Sequence, residues 1–147
     1  MSGKYILVVD DDPMMVALIT ERLQAEGCLV TSAGDAEEAY IQAENLRPVI
    51  MFLDLQMPGL GSGGDVIRKM RRHPRLKSIP VIVLTGRPPE EAKKQVPPDR
   101  LVRLLFKPPD WNLVMKTMRE LVWAARYEKP GASESPPPAP ESQRTPP

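Results

Sequence analysis

Apolar residues follow two rhythms along the first 128 positions: short unbroken runs, and longer stretches in which they recur every third or fourth residue. The runs Tyr5–Val9, Cys28–Thr31, Val49–Leu53, Val81–Leu84 and Leu101–Phe106 read as five strands. The third and fourth are apolar at consecutive positions, as strands covered on both faces require. A helix pattern follows each strand. The first opens at Pro13 with Asp12 as N-cap, turns Met15, Leu18, Ile19 and Leu23 inward, and stops at Gly27. The second begins after Asp35, with Glu38 three residues on in a capping-box arrangement, and buries Ala39, Tyr40 and Ala43. The third covers about Asp65–Arg72. The fourth, about Glu90–Val96, is stopped by Pro97-Pro98. The fifth follows Asp110 and turns Val114, Met118, Leu121, Val122 and Ala125 inward.

Five strand–helix units joined by right-handed crossovers predict an α/β fold, a doubly wound five-stranded parallel sheet with helices on both faces. In the flavodoxin-like order 2-1-3-4-5, strands one and three are neighbours, and ligands sit beyond the carboxyl ends of the strands where strand order reverses.

Length and composition bound this picture. The 147 residues suit one domain, with a folded body at 4–128. Of 18 prolines, 7 fall in residues 130–147, where no large apolar residue could anchor packing, so 129–147 reads as a disordered Pro/Ser-rich tail. Its single P-x-x-P, Pro137 to Pro140, reads as part of a passive tail rather than a docking motif. No stretch approaches the roughly 20 apolar residues of a membrane span, and no secretory leader is visible. Cys28 and His73 are the only residues of their kinds, which excludes an intramolecular disulfide and cysteine-built or histidine-rich metal sites. The chain reads as cytoplasmic.

The net charge of +1 hides an imbalance. Residues 1–65 carry 11 acidic and 3 basic side chains (−8), and residues 66–129 carry 16 basic and 6 acidic (+10). Arg68, Lys69, Arg71, Arg72, Arg75 and Lys77 have no interleaved aromatics and no DNA-reading motif, so they read as a solvated helix face.

The acidic half carries the chemistry. Strand one ends in Asp10-Asp11-Asp12, strand three in Asp54, strand four in Thr85-Gly86 and strand five in Lys107-Pro108. The predicted order gathers Asp10, Asp11 and Asp54, whose mutual repulsion would raise their pKa values unless a hard cation such as Mg²⁺, with Mn²⁺ as a substitute, joined them. Thr85 adds a hydroxyl donor and Lys107 a cation, the parts of a phosphoryl-transfer site with a carboxylate acceptor. Singly, each residue has a plainer reading: Asp12 a helix cap, Asp54 the start of a turn, Thr85 a strand end, Lys107 a surface charge. Four such coincidences at the correct strand ends are improbable.

The set Val8-Val-Asp-Asp11, Asp54-Leu-Gln-Met-Pro58, Ile79-Pro-Val-Ile-Val-Leu-Thr-Gly86 and Phe106-Lys-Pro108 resembles the receiver domain of two-component response regulators, of the stand-alone chemotaxis-regulator kind, over about residues 4–126. The resemblance implies that Asp54 is the phosphoacceptor. It implies that Asp11 binds Mg²⁺ directly, that Asp10 assists through water, and that the backbone carbonyl of Gln56 completes the protein's ligands. Thr85 and Lys107 would hold phosphoryl oxygens, and the Lys107–Pro108 peptide would be cis. The partners implied are a sensor histidine kinase or histidine phosphotransfer protein and a downstream protein target, with no direct nucleic-acid contact and no membrane insertion. No enzyme activity is implied beyond autophosphorylation and autodephosphorylation.

Three departures stand out. Gly59-Leu-Gly-Ser-Gly-Gly64 replaces the usual turn after the acceptor, Gly86 stands where alanine is commonest, and Leu104 occupies the place of the usual Tyr or Phe. Leu104 is expected to stay packed between the fourth and fifth helices. Three rival readings compete with this one. Gly59–Gly64 literally matches G-x-G-x-x-G, but it does not close onto a first strand and lacks the acid about 20 residues on. A haloacid-dehalogenase-type phosphatase carries a second aspartate two residues after its nucleophile, where Gln56 follows Asp54 (Asp12 would follow if Asp10 were the nucleophile), and it has a cap insertion that this sequence lacks. A non-phosphorylated pseudo-receiver scaffold would not need the complete Asp, Thr and Lys set.

Overall fold

The computed structural model describes residues 4–56 and 63–128. In chain order the elements are β1 (Tyr5–Val9), α1 (Pro13–Ala25), β2 (Leu29–Ala33), α2 (Ala36–Leu46) and β3 (Ile50–Leu53), then α3 (Gly63–Arg71), β4 (Val81–Thr85), α4 (Pro89–Gln95), β5 (Val102–Phe106) and α5 (Trp111–Tyr127). The strands form one parallel sheet in the order β2-β1-β3-β4-β5, as expected.

Alternation along each strand divides the core. Leu7, Val9, Met51, Leu53, Val81 and Val83 face α2, α3 and α4, meeting Ala39, Ala43, Ile67, Met70 and Ala92. Ile6, Val8, Ile50, Phe52, Ile82 and Leu84 face α1 and α5, meeting Ile19, Leu23, Val114, Met118 and Leu121. Each fully buried side chain of this size contributes about 1.5–3 kcal/mol of transfer free energy. Coverage of both faces is therefore the energetic reason for the unbroken apolar runs.

Helix starts agree with their caps. The Asp12 carboxylate accepts from the Met14 N–H, Asp35 from the Glu38 N–H, and Asp110 from the Asn112 and Leu113 N–H groups. At the end of α1, Gly27 takes φ +84° while its N–H reaches the Gln24 carbonyl and the Cys28 N–H reaches that of Leu23. Cys28 is thus committed to closing the helix, so β2 starts one residue later than its apolar run suggested and runs on to Ala33.

Several side chains depart from expectation. Leu18 is 40% exposed, because the inner stripe of α1 centres on Ile19 and Leu23 with Met15 and Val16 beside them. On α5 the buried residues include Thr117 and Ala124, and Ala125 is only half-buried. Leu104 is half-buried and packs against the core on the α2, α3 and α4 side of the sheet. Members of the basic cluster are not simply solvated. The Arg71 guanidinium donates to Asp99 at 2.7 Å and to the Ile79 carbonyl at 2.8 Å, and the Lys69 ammonium lies 4.2 Å from the centre of the Tyr40 ring. The proline-rich tail at 129–147 and residues 57–62 of the glycine-rich stretch lie outside the described residues. No helix among the described residues is long and apolar enough to cross a membrane.

Gly64 lies inside α3, and a Cβ there would strike the backbone carbonyl of Gln95 at the end of α4. In an open helix position Gly→Ala would stabilise by roughly 0.5–1 kcal/mol. Here steric conflict with backbone outweighs that gain, so Gly64→Ala is expected to lower stability by about 2 kcal/mol. Urea unfolding measures it; an increase in midpoint would show that α3 and α4 separate freely.

Candidate functional site

Three charged side chains stand one residue beyond three strands, and the neighbouring strand holds the backbone of each. The Asp10 N–H donates to the Ala33 carbonyl of β2 at 3.1 Å, the Asp54 N–H to the Val9 carbonyl of β1 at 2.9 Å, and the Lys107 N–H to the Thr85 carbonyl of β4 at 2.8 Å. Each residue thus extends the ladder by one bond, so its Cα is as rigidly placed as the sheet itself. The register Val9↔Leu53 brings Asp10 and Asp54 level on adjacent strands. The Lys107–Pro108 peptide is cis, as the resemblance implied.

Carboxylate oxygens of Asp10, Asp11 and Asp54 lie within 4.8 Å of one another. Asp10 and Asp54 are buried and Asp11 is exposed, so the cluster has one side open to solvent. Lys107 reaches in from the carboxyl end of β5, its Nζ 3.1 Å from Asp10 Oδ2 and 3.5 Å from Asp54 Oδ2. Asp10 also accepts from the Asp12 N–H at 2.9 Å, and Asp54 accepts from the Gln56 N–H at 3.2 Å. Thr85 is fully buried at the end of β4, and its Oγ1 accepts from the Arg87 N–H at 3.1 Å. The hydroxyl keeps its own proton to donate.

Burial pushes the Asp54 carboxyl above its ordinary value; the Gln56 N–H and Lys107 pull it down without cancelling that cost, and Asp10 pushes it further up. Desolvation is thus the leading cause, ahead of the like-charge repulsion that the sequence suggested. Burial would lower the Lys107 ammonium, but its hydrogen bond to Asp10 and the charges of Asp54 and Asp10 outweigh this and raise it. The lysine remains a cation at neutral pH.

The donor set suits a hard divalent cation. It consists of oxygen atoms alone, it concentrates negative charge, and its exposed side leaves room for the waters that Mg²⁺ retains. Asp12, read as a cap, is a cap, and stays on α1. The structure brings Asp10, Asp11, Asp54 and Lys107 together, with Thr85 at the end of the strand beside Asp54. Sequence reading missed the Arg87 N–H that orients the Thr85 hydroxyl, and the closer pairing of Lys107 with Asp10 than with Asp54. The first is a backbone group with no sequence signal. The second depends on how far each strand end projects.

The response regulator receiver domain family matches residues 6–119. The chain is 37% identical over 82 residues to the probable transcriptional regulatory protein TcrX of Mycobacterium tuberculosis, a match covering 56% of this chain and 34% of that protein. The chain thus spans about a third of the length of that regulator. It is 35% identical over 105 residues to an uncharacterized 14.6 kDa protein of Leptolyngbya boryana, covering 71% of this chain and 79% of that one. Among solved structures it is similar to the chemotaxis protein CheY4 of Vibrio cholerae, with a TM-score of 0.72 and 25% identity over 80% of this chain and 98% of that one.

Proposed function

The chain belongs to the receiver-domain family of two-component response regulators, and from that premise we propose that it is an aspartate phosphoacceptor in which Asp54 takes a phosphoryl group from a histidine kinase or phosphotransfer protein. The observation that carries the reading is the convergence of Lys107 on both Asp10 and Asp54, beside an all-oxygen cluster that Asp11 completes.

An Asp54 carboxylate oxygen forms the new bond to phosphorus while the bond from phosphorus to the donor's leaving group breaks. Asp54 must be ionised to do so, and the Gln56 N–H and Lys107 both favour that form against the cost of burial. Lys107 is placed to follow the charge that develops on the phosphoryl oxygens, and the Thr85 hydroxyl can donate to another. Asp10, Asp11, Asp54 and the Gln56 carbonyl would hold Mg²⁺, which when bound supplies neutralising charge to the transferring group. The product carries about −1.5 to −2 charge where the ionised carboxylate carried −1, a change at one buried point that biases the Thr85 and Lys107 strand ends and the protein surface they support. Output by protein–protein contact fits that local change.

Incubation with acetyl phosphate and Mg²⁺, followed by intact mass, tests the proposal. One acid-labile phosphoryl adduct is expected, and an unmodified mass at saturating donor and metal would overturn it. A pseudo-receiver scaffold gives the second outcome.

Mg²⁺ at about 100 times its dissociation constant is expected to stabilise the protein by about 2.7 kcal/mol, a rise of several degrees in melting temperature. Asp11→Asn should lose that response, because it removes the exposed carboxylate of the cluster. An equal Mg²⁺-dependent rise in wild type and variant would rule Asp11 out as a ligand.

A further inference from the structure

At the opposite pole of the sheet from the acidic cluster lies a cavity of about 580 Å³. It opens where the strands begin. Lys4 precedes β1, Val49 precedes β3 and Pro80 precedes β4, and all three line it. Strands of this length place it roughly 17–20 Å from Asp10, Asp54 and Thr85. It is therefore separate from the phosphoacceptor site.

Its chemistry is two-sided. Pro48, Ile79, Pro80 and Val122 form apolar walls, and the first three are buried. Around them stand Lys4, Arg75 and Arg126, with Ser78 as a further donor and no Asp or Glu in the lining. Among the described residues none of these three cations belongs to an ion pair. The guanidinium of Arg126 rests over its neighbour's ring, Tyr127, at 5.6 Å. This differs from Arg71 nearby, whose guanidinium is held by Asp99 and by the Ile79 carbonyl.

Three like charges facing one concavity repel one another and focus a positive potential in it. An anion relieves that repulsion, and an apolar body fills walls that water solvates poorly. The volume falls within the range of sites for small organic molecules. We propose that this cavity is a binding site for a small organic anion, a carboxylate, sulfonate or phosphate ester carried on a flat apolar body. Arg75 and Arg126 hold the charged group, and the proline and isoleucine walls hold the ring. A bare inorganic anion would satisfy the cations and leave the walls unfilled.

Anilinonaphthalene sulfonate is a suitable probe, titrated into the isotope-labelled 147-residue chain and followed by fluorescence and amide chemical shifts. One saturable site is expected, with shifts on Val49, Ser78, Ile79 and Val122–Arg126. The double variant Arg75→Ala, Arg126→Ala should weaken binding by about tenfold or more. Uncharged phenylnaphthylamine should bind more weakly than the sulfonate by a similar factor, and inorganic phosphate at matched concentration should not displace the probe. Retained acetyl phosphate labelling of the double variant shows that it is folded, since neither arginine belongs to the phosphoacceptor site. Shifts dispersed over the surface or centred on Asp54, or unchanged affinity in the double variant, would overturn the proposal. So would full displacement by phosphate alone. Displacement by a short RNA at lower concentration than by any small anion would assign the charges to nucleic acid instead.

Discussion

Asp54→Asn is expected to take no phosphoryl group from acetyl phosphate at any Mg²⁺ concentration, and to melt at a higher temperature than the wild type at neutral pH without metal. The first effect follows from chemistry. An amide is a poor nucleophile, and removing the accepting group of a transfer site costs roughly 100-fold or more, here down to the limit of detection. The second follows from burial. Asp54 is almost wholly enclosed, and desolvation leads the causes that raise its pKa. A carboxyl whose folded pKa lies above its unfolded value of about 3.9 binds its proton more readily in the native state. As pH rises from that unfolded value through the folded one, ionising Asp54 increasingly destabilises the fold, and above that window the cost is complete. Asparagine keeps the shape and removes the charge. Its advantage should be absent below about pH 3.9, grow through the window and stay constant above it. Intact mass and melting curves across pH measure both effects. Persistent labelling of the variant would move the acceptor elsewhere, and a melting difference independent of pH would show that burial of the charge is not its origin.

Lys107→Ala is expected to act in the opposite direction on stability and in the same direction on transfer. The ammonium lies 3.1 Å from Asp10 and 3.5 Å from Asp54, whose side chains are 3% and 6% exposed. Without it two buried carboxylates face each other without their cation. Breaking a fully buried pair costs about 3–5 kcal/mol; Lys107 is 20% exposed, and solvent screening brings the expected loss to about 2 kcal/mol. Saturating Mg²⁺ should restore more stability to the variant than it adds to the wild type, since it neutralises the same two acids. The pH dependence has a definite sign. The folded pKa of Lys107 is raised, so the stability it confers is complete below the unfolded value of about 10.4 and is lost as pH rises through the folded value. The wild type should show that alkaline loss and the variant should not. Phosphoryl transfer in the variant should fall by about 10²–10³-fold, the scale of removing one electrostatic stabiliser. Denaturant unfolding with and without Mg²⁺, together with labelling rates, tests these points. A variant as stable as the wild type without metal would mean that the acids are already compensated by other groups.

The five elements of each kind, their chain order and the strand ends bearing Asp10, Asp54, Thr85 and Lys107 are determined by local sequence. A strand covered on both faces must be apolar at every position, so its last apolar residue marks where the chain leaves the core and polar chemistry can begin. Helix starts are equally local: Asp12, Asp35 and Asp110 each cap a helix within two or three residues of themselves. What tertiary structure alone decided is everything that depends on which elements meet. Asp10 and Lys107 are 97 residues apart, and only sheet order and register bring them within a hydrogen bond of each other. Leu18 and Ala125 lost their expected burial because a stripe of period 3.6 shows that a helix has an apolar face, while the packed neighbour selects its centre. Gly64 belongs to a loop of glycines in the sequence, yet its requirement arises from the Gln95 carbonyl across the α3–α4 contact. Arg71 looked like one charge among six on a solvated face until Asp99 and the Ile79 carbonyl were folded against it. The leading cause of the Asp54 shift is of the same kind, because desolvation is imposed by the whole surrounding fold and no neighbouring residue in the chain announces it.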